Sequence, residues 1–373
     1  MSKTVLITGG AGFVGSHAAD ELLQNGYNVK IYDNLTEQVH GETGEKPPYL
    51  NSDAEFIRGD IRDREKLKKV LTGVDAVFHF AARVGVGQSM YEVKEYMDVN
   101  SVGTSVLLEE LMQNPVEKLV VASSMSVYGE GMYESPGGNI EEGKLRPVHQ
   151  MKKGEWEVYG SKNGTPLKPV AVTENKTPDL ASVYALSKYD QERLCLMIGQ
   201  AYDIPVTALR FFNIYGTRQA LSNPYTGVLA IFAARYLNNQ PPVIFEDGNQ
   251  RRDFISVSDV ANACRLALET EDAKNEVFNI GSGQSYTICE IATETARVLG
   301  KEHIEPEITN KYRVGDIRHC FADITKAQNI LNFRPEVKLS DGLINLAEWL
   351  KKQVAVDKVN TARKELATRG LTI

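Results

Sequence analysis

The sequence predicts an α/β fold in which a doubly wound parallel sheet is followed by a smaller C-terminal α/β domain. Three observations support this prediction. Short β-branched runs alternate with helix-period segments through the first third of the 373 residues, a pattern typical of a parallel sheet with helices on both faces. A glycine-rich turn joins the first strand to the first helix. Beyond Pro241, short strands and amphipathic helices are mixed, which indicates a second, smaller unit.

The predicted elements of the first domain follow one another in a regular order. Each strand is a short apolar run, and the connecting segments have helical periodicity. Because strands joined through helices take right-handed crossovers, we expect the strands to be parallel. The strands are KTVLIT, YNVKIYD, AEFIRGD, DAVFHFAA and KLVVASS, and the helices are FVGSHAADELLQNG, REKLKKVLTG and residues 91–113.

The chain is predicted to divide near residue 205. A strand, VTALRFFNIYG, and a helix, GVLAIFAARYLNN, follow this point, and further short elements continue beyond them. A long stretch rich in Gly, Pro, Lys and Glu interrupts the first domain, and it is either a functional loop or a small inserted subdomain. The predicted units are a first domain at 1–205 with an insertion at about 130–181, a mainly substrate-binding domain at 206–353 with segments that return to the first domain, and a C-terminal helix or tail at 354–373.

The composition argues against several classes of protein. A formal net charge of −7 disfavours non-specific nucleic-acid binding, which requires basic patches. No apolar run reaches the roughly 18 residues of a membrane span, and the N-terminus lacks the features of a signal peptide. The cysteines are scattered without a CxxC pair, so we expect reduced thiols in a cytoplasmic protein. They are Cys195, Cys264, Cys289 and Cys320.

The turn after the first strand, TGGAGFVGSH, predicts a dinucleotide-binding site. Gly9 permits the tight turn, Gly12 lets the backbone approach a pyrophosphate, and Gly15 lets the helix pack close to the sheet. The helix N-terminus offers free N–H groups to the phosphates. Asp33 ends the second strand and suits a ribose 2′-hydroxyl while repelling a 2′-phosphate, so NAD is favoured over NADP. The first domain is therefore predicted to be a Rossmann-type NAD-binding domain.

Two further features of the sequence allow more than one interpretation. Asp60 ends the third strand, and it either meets the adenine or caps a helix that starts at Arg62. Tyr184 and Lys188 in SVYALSK are four positions apart, so they share one face of a helix. Taken alone, this spacing is most simply that of a solvated helix face.

Eight motifs that occur in order along the chain resemble those of a single family. They are TGGAGFVGSH, HFAARVGVGQS, VNSVGT, ASSMSVYGE, SVYALSK, RFFNIYG, RRDFISVSD and VGDIRHCFADITKA. The chain resembles the extended short-chain dehydrogenase/reductase family, specifically its nucleotide-sugar epimerases of the UDP-galactose 4-epimerase type. The resemblance covers nearly the whole chain except the insertion and the tail.

The resemblance implies a catalytic group around Tyr184. An unperturbed tyrosine has a pKa of about 10, so it needs nearby positive charge to act as a base at neutral pH. Lys188 would supply such charge and hold the nicotinamide ribose, and Ser124 would bond the sugar oxygen that Tyr184 deprotonates. Asn100 would orient the helix on the cofactor side. The cofactor contacts expected from the glycine turn and the resemblance together are Gly9, Gly12, Phe13, Val14, Gly15, Asp33, Asn34, Asp60, Ile61, Phe80, Ala81, Ala82, Asn100, Tyr184 and Lys188.

The reaction implied by the resemblance is inversion at C4 of a nucleotide sugar. Tyr184 would remove the C4 hydroxyl proton while the C4 hydride passes to NAD, and the hydride would return to the opposite face of a 4-keto sugar. Dehydratases of the family carry an Asp-Glu pair directly after the position of Ser124, and the related decarboxylases carry a glutamate. Met125 and Ser126 cannot do that work, so dehydration and decarboxylation are disfavoured.

The resemblance also implies the residues that hold the substrate. Asn213 would contact the diphosphate, and Asp316 the nucleoside ribose. Arg252 and Arg313 would bind phosphate, because the planar guanidinium is bidentate to phosphate oxygens. Arg218 is a further candidate. The implied substrate contacts are Ser124, Ser126, Asn213, Arg252, Arg313 and Asp316.

The stretches RQALSNPYTGVLAIFAAR and ARVGVGQSMYE, together with the insertion, look most like the dTDP-L-rhamnose 4-epimerase subgroup. Its members make dTDP-6-deoxy-L-talose, a deoxysugar that would feed polysaccharide synthesis. Many relatives carry a cysteine-rich zinc knuckle in the insertion, but Gly160 and Asn163 stand here where thiols would be, so no metal is expected. The lobe would either cover the sugar pocket or extend a dimer face.

Two alternative functions stay open. A UDP-glucose or UDP-N-acetylglucosamine 4-epimerase would share the catalysis and differ in the pocket. A non-catalytic nucleotide-binding module would usually lack the tyrosine or the lysine, and both are present here.

The helices at 91–113 and 184–201 each carry an apolar stripe. In the family such helices pair across a two-fold axis into a four-helix bundle, so the resemblance implies a homodimer. The alternative is that both stripes face the sheet.

Overall fold

The structure, a computed structural model, describes residues 2–41, 44–160, 164–219, 227–313, 315–352 and 368–369. Its centre is a seven-stranded sheet in which every neighbouring pair of strands is parallel, which confirms the predicted fold class. The strand order reverses on either side of the first strand, the place where open parallel sheets bind nucleotides. From one edge the strands are β3 (Glu55–Arg58), β2 (Asn28–Asp33), β1 (Thr4–Thr8), β4 (Ala76–His79), β5 (Lys118–Ser124), β9 (Val206–Phe211) and β14 (Glu276–Ile280).

Both faces of this sheet are buried, as expected for parallel strands joined through helices. Side chains alternate along each strand, so Val5 and Ile7 of β1 enter one apolar core while Leu6 enters the other. The helices that cover the two faces and the cofactor edge are α1 (Phe13–Gln24), α2 (Glu37–His40), α3 (Arg64–Val70), α4 (Val86–Ser89), α5 (Val93–Tyr96), α6 (Gly103–Gln113), α8 (Val183–Tyr202), α10 (Val257–Glu269) and α12 (Thr325–Ile330).

The prediction of a single regular helix over residues 91–113 is wrong in the middle of that range. A π-helical turn, Met97–Val102, separates α5 from α6. Such wide turns are uncommon and occur frequently at functional sites. Here the turn carries Asn100, whose fully buried side chain bonds the backbone of Arg83 at both its N–H and its C=O. The apolar period of the sequence did not distinguish this turn from an α-helix.

The C-terminal part of the chain forms small sheets and helices beside the central sheet. Phe232, Ile291 and Leu346 belong to its own apolar core, while β14 crosses back to the edge of the central sheet. The division at residue 205 stays a prediction, and of the tail only residues 368–369 are described. The elements are β10 (Asn213–Tyr215) with β13 (Phe254–Ser256), β11 (Val243–Ile244) with β16 (Glu307–Ile308), β12 (Arg251–Arg252) between β15 (Tyr286–Thr287) and β17 (His319–Cys320), and α9 (Val228–Leu237), α11 (Ile288–Leu299) and α13 (Leu339–Leu350).

The insertion, called here the inserted lobe (residues 130–181), is a small folded unit. Its antiparallel sheet has β6 (Met132–Glu134) between β7 (Ile140–Glu142) and β8 (Lys168–Val170), with a short helix, α7 (Val148–Met151). Tyr133, Val158 and Leu167 form its own buried cluster. Among the described residues, no helix is both long and apolar enough to cross a membrane.

Candidate active site

The glycine turn between β1 and α1 is shaped for close approach of a ligand. Gly9 has a φ of +69°, and a Cβ there would lie 2.7 Å from the backbone nitrogen of Ala81. A Cβ on Gly15 would lie 2.4 Å from the carbonyl oxygen of Gly9, so helix and turn touch through backbone. Gly12 precedes α1 without a side-chain cap. The N–H groups of the first turn of α1 are therefore open to an anion.

Asp33 lies at the carboxyl end of β2 beside this helix N-terminus. Its Oδ2 accepts a hydrogen bond from the Ala11 N–H at 3.0 Å, and its Oδ1 accepts one from the Leu35 N–H at 2.9 Å. The carboxylate is only 8% exposed, so these two bonds fix it as a negative group on the floor of the site. That position suits a neutral ribose hydroxyl and disfavours a phosphate.

The surroundings of Asp60 contradict one of its two interpretations, that it caps a helix starting at Arg62. The helix cap is Asp63, whose Oδ1 accepts from the Lys66 N–H at 3.1 Å, and α3 begins at Arg64. Asp60 instead pairs with the Arg62 guanidinium at 2.8 Å and accepts from Asn34 at 3.0 Å. Hydrogen bonds from Arg62, opposed by partial burial, lower the pKa of Asp60 to about 2. The helix-cap interpretation is therefore wrong.

A cavity of about 460 Å³ joins the glycine turn to the carboxyl ends of β5 and β9. Its volume lies within the range of small-molecule sites. Among the described residues, Asp60, Asn100, Lys188, Arg252, Arg313 and Asp316 do not line it. The predicted site residues that do are Gly9, Gly12, Phe13, Val14, Gly15, Asp33, Asn34, Ile61, Phe80, Ala81, Ala82, Ser124, Ser126, Tyr184 and Asn213.

Tyr184 lies on the first turn of α8, which Ser182 caps by accepting from the Ala185 N–H at 3.1 Å. The backbone N–H of Tyr184 donates to Ser89 Oγ at 3.0 Å, and its ring meets the Tyr96 ring edge-on. Burial raises the pKa of the Tyr184 phenol, and a hydrogen bond with Ser124 opposes that shift. Without a bound cation the group is therefore a neutral phenol at pH 7.

Ser124 ends β5 and faces the same cavity as Tyr184. Its Oγ accepts a hydrogen bond from the Ser126 N–H at 3.1 Å. With one lone pair taken by the backbone, the hydroxyl keeps its proton for an oxygen in the cavity.

Lys188 is only 3% exposed, so the interpretation of a solvated helix face is wrong. Burial lowers the pKa of Lys188 to about 8. Its ammonium donates to Gln191 Oε1 at 2.8 Å, and Gln191 in turn donates to Thr104 Oγ1 at 2.9 Å. His79 bonds Thr104 at 2.8 Å. No pattern in the sequence predicts this polar network beneath the cofactor cavity, because its members come from three separate elements.

Asn100 lies behind the cavity and joins two helices. Its Nδ2 donates to Ser187 Oγ on α8 at 2.9 Å and to the Arg83 carbonyl at 3.1 Å, and its Oδ1 accepts from the Arg83 N–H at 2.7 Å. Arg83 lines the cavity. Asn100 thus fixes the loop after β4 against the helix that bears Tyr184.

Three of the predicted substrate contacts, Ser124, Ser126 and Asn213, line the cavity. Asn213 Oδ1 is buried and has no hydrogen-bond partner among the described residues, and the same is true of Oε1 of Gln219, a cavity residue that no motif predicted. Buried polar atoms are normally paired, so both oxygens are fitted to accept from a ligand. Arg218, the looser candidate, pairs instead with Asp20 at 2.7 Å and stacks over Tyr49.

Arg252, Arg313 and Asp316 lie together on the C-terminal part of the chain. Arg313 pairs with Asp316 at 2.9 Å, and the Arg252 guanidinium donates to the backbone carbonyls of Ile317 and Arg318. Burial works to raise the pKa of Asp316, but the Arg313 and Arg252 charges outweigh it and hold the pKa below its ordinary value.

The described residues contain no group of three or more His, Cys, Asp or Glu side chains that could hold a metal ion. Gly160 lies within the described part of the inserted lobe, whereas Asn163 lies outside the described residues.

The residues present fit NAD, because the turn excludes any Cβ at Gly9, the helix end is open to a pyrophosphate, and Asp33 faces the ribose position. This strand order and this turn identify the chain as a dinucleotide-binding protein of the Rossmann class. The model of the NAD dependent epimerase/dehydratase family matches residues 5–151 and 156–281. The chain belongs to this family. The prediction of NAD as cofactor is thereby confirmed, as is the resemblance at the level of the family.

Individual relatives cover nearly the whole chain. A dTDP-L-rhamnose 4-epimerase of Burkholderia thailandensis is 32% identical over 356 residues, which are 94% of this chain and 96% of that protein. Among solved structures, a UDP-glucose 4-epimerase of Thermotoga maritima with UDP-glucose has a TM-score of 0.76 at 32% identity, covering 94% of this chain and 99% of that one. A UDP-glucuronic acid 4-epimerase of Bacillus cereus, in complex with UDP-glucuronic acid and NAD, has a TM-score of 0.77 at 30% identity, covering 94% and 99%.

Proposed function

We propose that the protein is an NAD-dependent nucleotide-sugar 4-epimerase, and that its substrate is dTDP-L-rhamnose, which it converts to dTDP-6-deoxy-L-talose through a 4-keto intermediate. The observation that carries the proposal is the position of Tyr184. Its phenol shares one cavity with the glycine turn and with Ser124, whose hydroxyl opposes the rise in the Tyr184 pKa that burial causes. A proton acceptor therefore lies where a sugar hydroxyl would meet the reactive end of a dinucleotide.

The chain's own residues would transfer one proton and hold the sugar in position. Tyr184 takes the proton of the C4 hydroxyl, and Ser124 Oγ donates to the same sugar oxygen. Lys188, with its pKa lowered to about 8 by burial, is still mostly protonated at pH 7, and its charge favours the phenolate. When bound, NAD would supply the hydride acceptor for C4 and the hydride donor for the opposite face of the keto sugar, and Tyr184 would return the proton to the C4 oxygen.

The residues after Ser124 support epimerisation over elimination. Met125 and Ser126 both line the cavity, and neither has an acid or base suited to removing a proton from C5. Dehydration and decarboxylation are therefore disfavoured. A non-catalytic binding module is disfavoured too, since Tyr184 and Ser124 line one cavity and Lys188 lies buried one helical turn from Tyr184.

The choice of dTDP-L-rhamnose rests on the sequence stretches that resemble that subgroup and on the Burkholderia relative. The second candidate is a UDP-sugar 4-epimerase acting on UDP-glucose or UDP-N-acetylglucosamine. The two solved relatives, both UDP-sugar epimerases, favour it. Asn213 and Gln219 would serve either nucleotide, because their free oxygens do not discriminate between the bases.

Proton NMR of the purified protein with dTDP-L-rhamnose in D2O, without added NAD, tests the proposal. We expect the 4-epimer with C4 still protonated, because the hydrogen stays within the site. A product deuterated at C4 would contradict the roles of Tyr184 and NAD. No conversion by protein that carries NAD would exclude this substrate, and conversion of a UDP-sugar instead would establish the second candidate.

We also propose that the protein is a homodimer formed through its helices α4 to α6 and α8. Large apolar side chains on these helices and the adjoining loop are about half exposed, contrary to the alternative that both stripes face the sheet. They are Val84 at 47%, Val86 at 48%, Met90 at 44%, Val93 at 46%, Val102 at 50%, Leu186 at 46% and Met197 at 49%. Light scattering should give twice the 41.4 kDa mass of one chain, and a monomer at micromolar concentration would refute the proposal.

A further inference from the structure

The inserted lobe is joined to the C-terminal part of the chain by a buried ionic network. Its centre is Glu246, which is 1% exposed. Arg146 of the lobe pairs with it through two bonds, Nη1 to Oε2 at 2.9 Å and Nη2 to Oε1 at 2.8 Å. Arg318 donates to the same carboxylate at 2.9 Å. One carboxylate thus bridges two guanidiniums that come from different parts of the chain.

Arg318 is the largest fully buried side chain of the described residues, and it also meets the lobe directly. It bonds Glu157 of the lobe at 3.2 and 2.5 Å and Asp247 at 2.6 and 2.9 Å. Burial opposes the shift, but Arg318 and His319 lower the pKa of Glu157 to about 2. The Glu157 carboxylate is therefore charged at neutral pH.

The lobe also holds the backbone between Arg313 and His319. Buried Glu130 accepts from the N–H of Arg318 at 2.6 Å and from the N–H of His319 at 2.8 Å. Arg146 Nη2 donates to the carbonyl of Asp316 at 3.1 Å. Both ends of the segment 316–319 are therefore fixed by side chains of the lobe.

The same segment carries the residues assigned to the nucleotide diphosphate. Asp316 lies on it and pairs with Arg313 at 2.9 Å, and Arg252 is held by its carbonyls at Ile317 and Arg318. A shift of this backbone would displace the partners of all three groups together. Buried ion pairs contribute little net stability compared with apolar packing, so their value lies in the geometry they fix. Both Nη atoms of Arg146 are bonded, while its Nε has no partner among the described residues.

We propose that the inserted lobe is part of the substrate site, and that Arg146 is a positioning residue that fixes the backbone at 316–319, and with it Asp316 and the partners of Arg252 and Arg313, for the nucleoside diphosphate of the substrate. The inference rests on the proposed function for the class of substrate. It assigns the lobe to substrate binding in place of the dimer face, and it gives Arg146 a role although Arg146 contacts no cavity residue of the catalytic group.

The test is Arg146→Lys, which keeps the charge, but whose ammonium has three N–H donors on one atom and cannot replace the four bonds that Arg146 makes to Glu246, Trp156 and Asp316. Binding of dTDP and of UDP would be measured by calorimetry, with bound NAD and the thermal midpoint recorded for the same preparations. We expect the Kd of the preferred nucleotide to rise about tenfold, as for loss of one charge-assisted bond. KM should rise in parallel, while kcat stays within about twofold and NAD content is unchanged.

Lys168→Met is the matched control. Lys168 belongs to the same lobe but is exposed, and it pairs with exposed Glu134 at 3.3 Å. Its loss should leave nucleotide affinity, KM and NAD content as they are. An equal effect of both variants would mean that the lobe acts only as a folded unit, and the inference would fall.

If Arg146→Lys does not fold, Glu157→Gln is the variant that tests the inference. It should fold, because Glu157 is one-third exposed and Arg318 keeps its pairs with Asp247 and Glu246. We expect a smaller rise in nucleotide Kd, about threefold, with unchanged NAD. Unchanged affinity in a folded variant overturns the inference. A wild-type protein that binds neither dTDP nor UDP contradicts the proposed function instead, so the two failures are distinguishable.

Discussion

The cofactor end and the substrate end of this molecule are built by different means. The cofactor end is made of backbone: a turn that admits no Cβ at Gly9, an open helix end, and Asp33 bonded to two N–H groups. The substrate end is held by buried ion pairs such as Arg146 with Glu246, which are 100 residues apart in the chain. We therefore expect the cofactor end to lose NAD affinity when a methyl group is added, and the substrate end to lose stability when a charge is removed.

Tyr184 lies where the two regions meet, so its hydroxyl should matter to chemistry and to neither kind of binding. We expect Tyr184→Phe to lower kcat by about 10³-fold, the size of effect of a general acid–base group. Bound NAD and the Kd of dTDP or UDP should stay unchanged. Steady-state NMR assays and the absorbance of extracted NAD would measure these quantities.

Tyr189→Phe is the control for this change, because Tyr189 lies on the same helix and packs against an apolar cluster but does not itself line the cavity. It should retain full activity. Comparable losses in the two variants would mean that α8 is sensitive to any lost hydroxyl, and that Tyr184 is not the base.

Loss of one charge at the substrate end should be the largest effect on stability. Glu246→Gln leaves Arg146 and Arg318 sharing an uncharged partner in a buried site, and breaking such a pair costs about 3 kcal/mol of unfolding free energy. Glu134→Gln removes a carboxylate from an exposed pair with Lys168 and should cost less than about 1 kcal/mol. Urea titrations would measure both, and equal losses would remove the distinction between the two ends.

The difference between the regions also explains what the sequence could predict. The glycine turn and Asp33 are close in the chain, and each residue type there has a steric or electrostatic reason that a pattern reveals. The ion pairs join residues that are 71 to 161 positions apart, so no local pattern contains them. Taken alone, the spacing of Tyr184 and Lys188 predicts a solvated helix face, because lysine is usually exposed, and only the resemblance to the family assigns Lys188 to the site. Its burial depends on Gln191, Thr104 and His79 from elements that only the fold brings together.

Addition of one methyl group tests the cofactor end. In Gly9→Ala the new Cβ meets the Ala81 nitrogen at 2.7 Å and the Phe80 carbonyl carbon at 2.9 Å. We expect NAD affinity to fall about tenfold or more, corresponding to about 1.4 kcal/mol, with the loss measured by fluorescence titration of stripped protein.

Gly26→Ala is a close match for Gly9→Ala, because Gly26 also has a positive φ, +83°, but has open space around it. It should lower the unfolding free energy by about 1 kcal/mol through backbone strain alone and leave NAD affinity unchanged. A loss of NAD affinity in both variants would show that strain, and not the contact with Ala81, governs the site.

The smallest expected effect concerns Lys188, which belongs to the cofactor end yet carries a buried charge. Burial lowers its pKa to about 8 from an ordinary 10.5. Between these values the unfolded chain holds a proton that the folded chain has released, so this site adds stability as pH rises. Below about pH 8 both states are protonated, and the full burial penalty is present.

Lys188→Met removes that penalty, so its stability relative to the wild type should be greatest below about pH 8 and should fall as pH approaches 10.5. Unfolding of the NAD-free proteins in urea at several pH values would measure the trend, with Lys152→Met on the exposed surface as the control. A difference independent of pH would mean that folding does not shift the pKa of Lys188. The trend expected here would instead show that the cofactor end, otherwise built of backbone, keeps one buried charge at a cost to stability, one helical turn from Tyr184, whose phenolate that charge would favour.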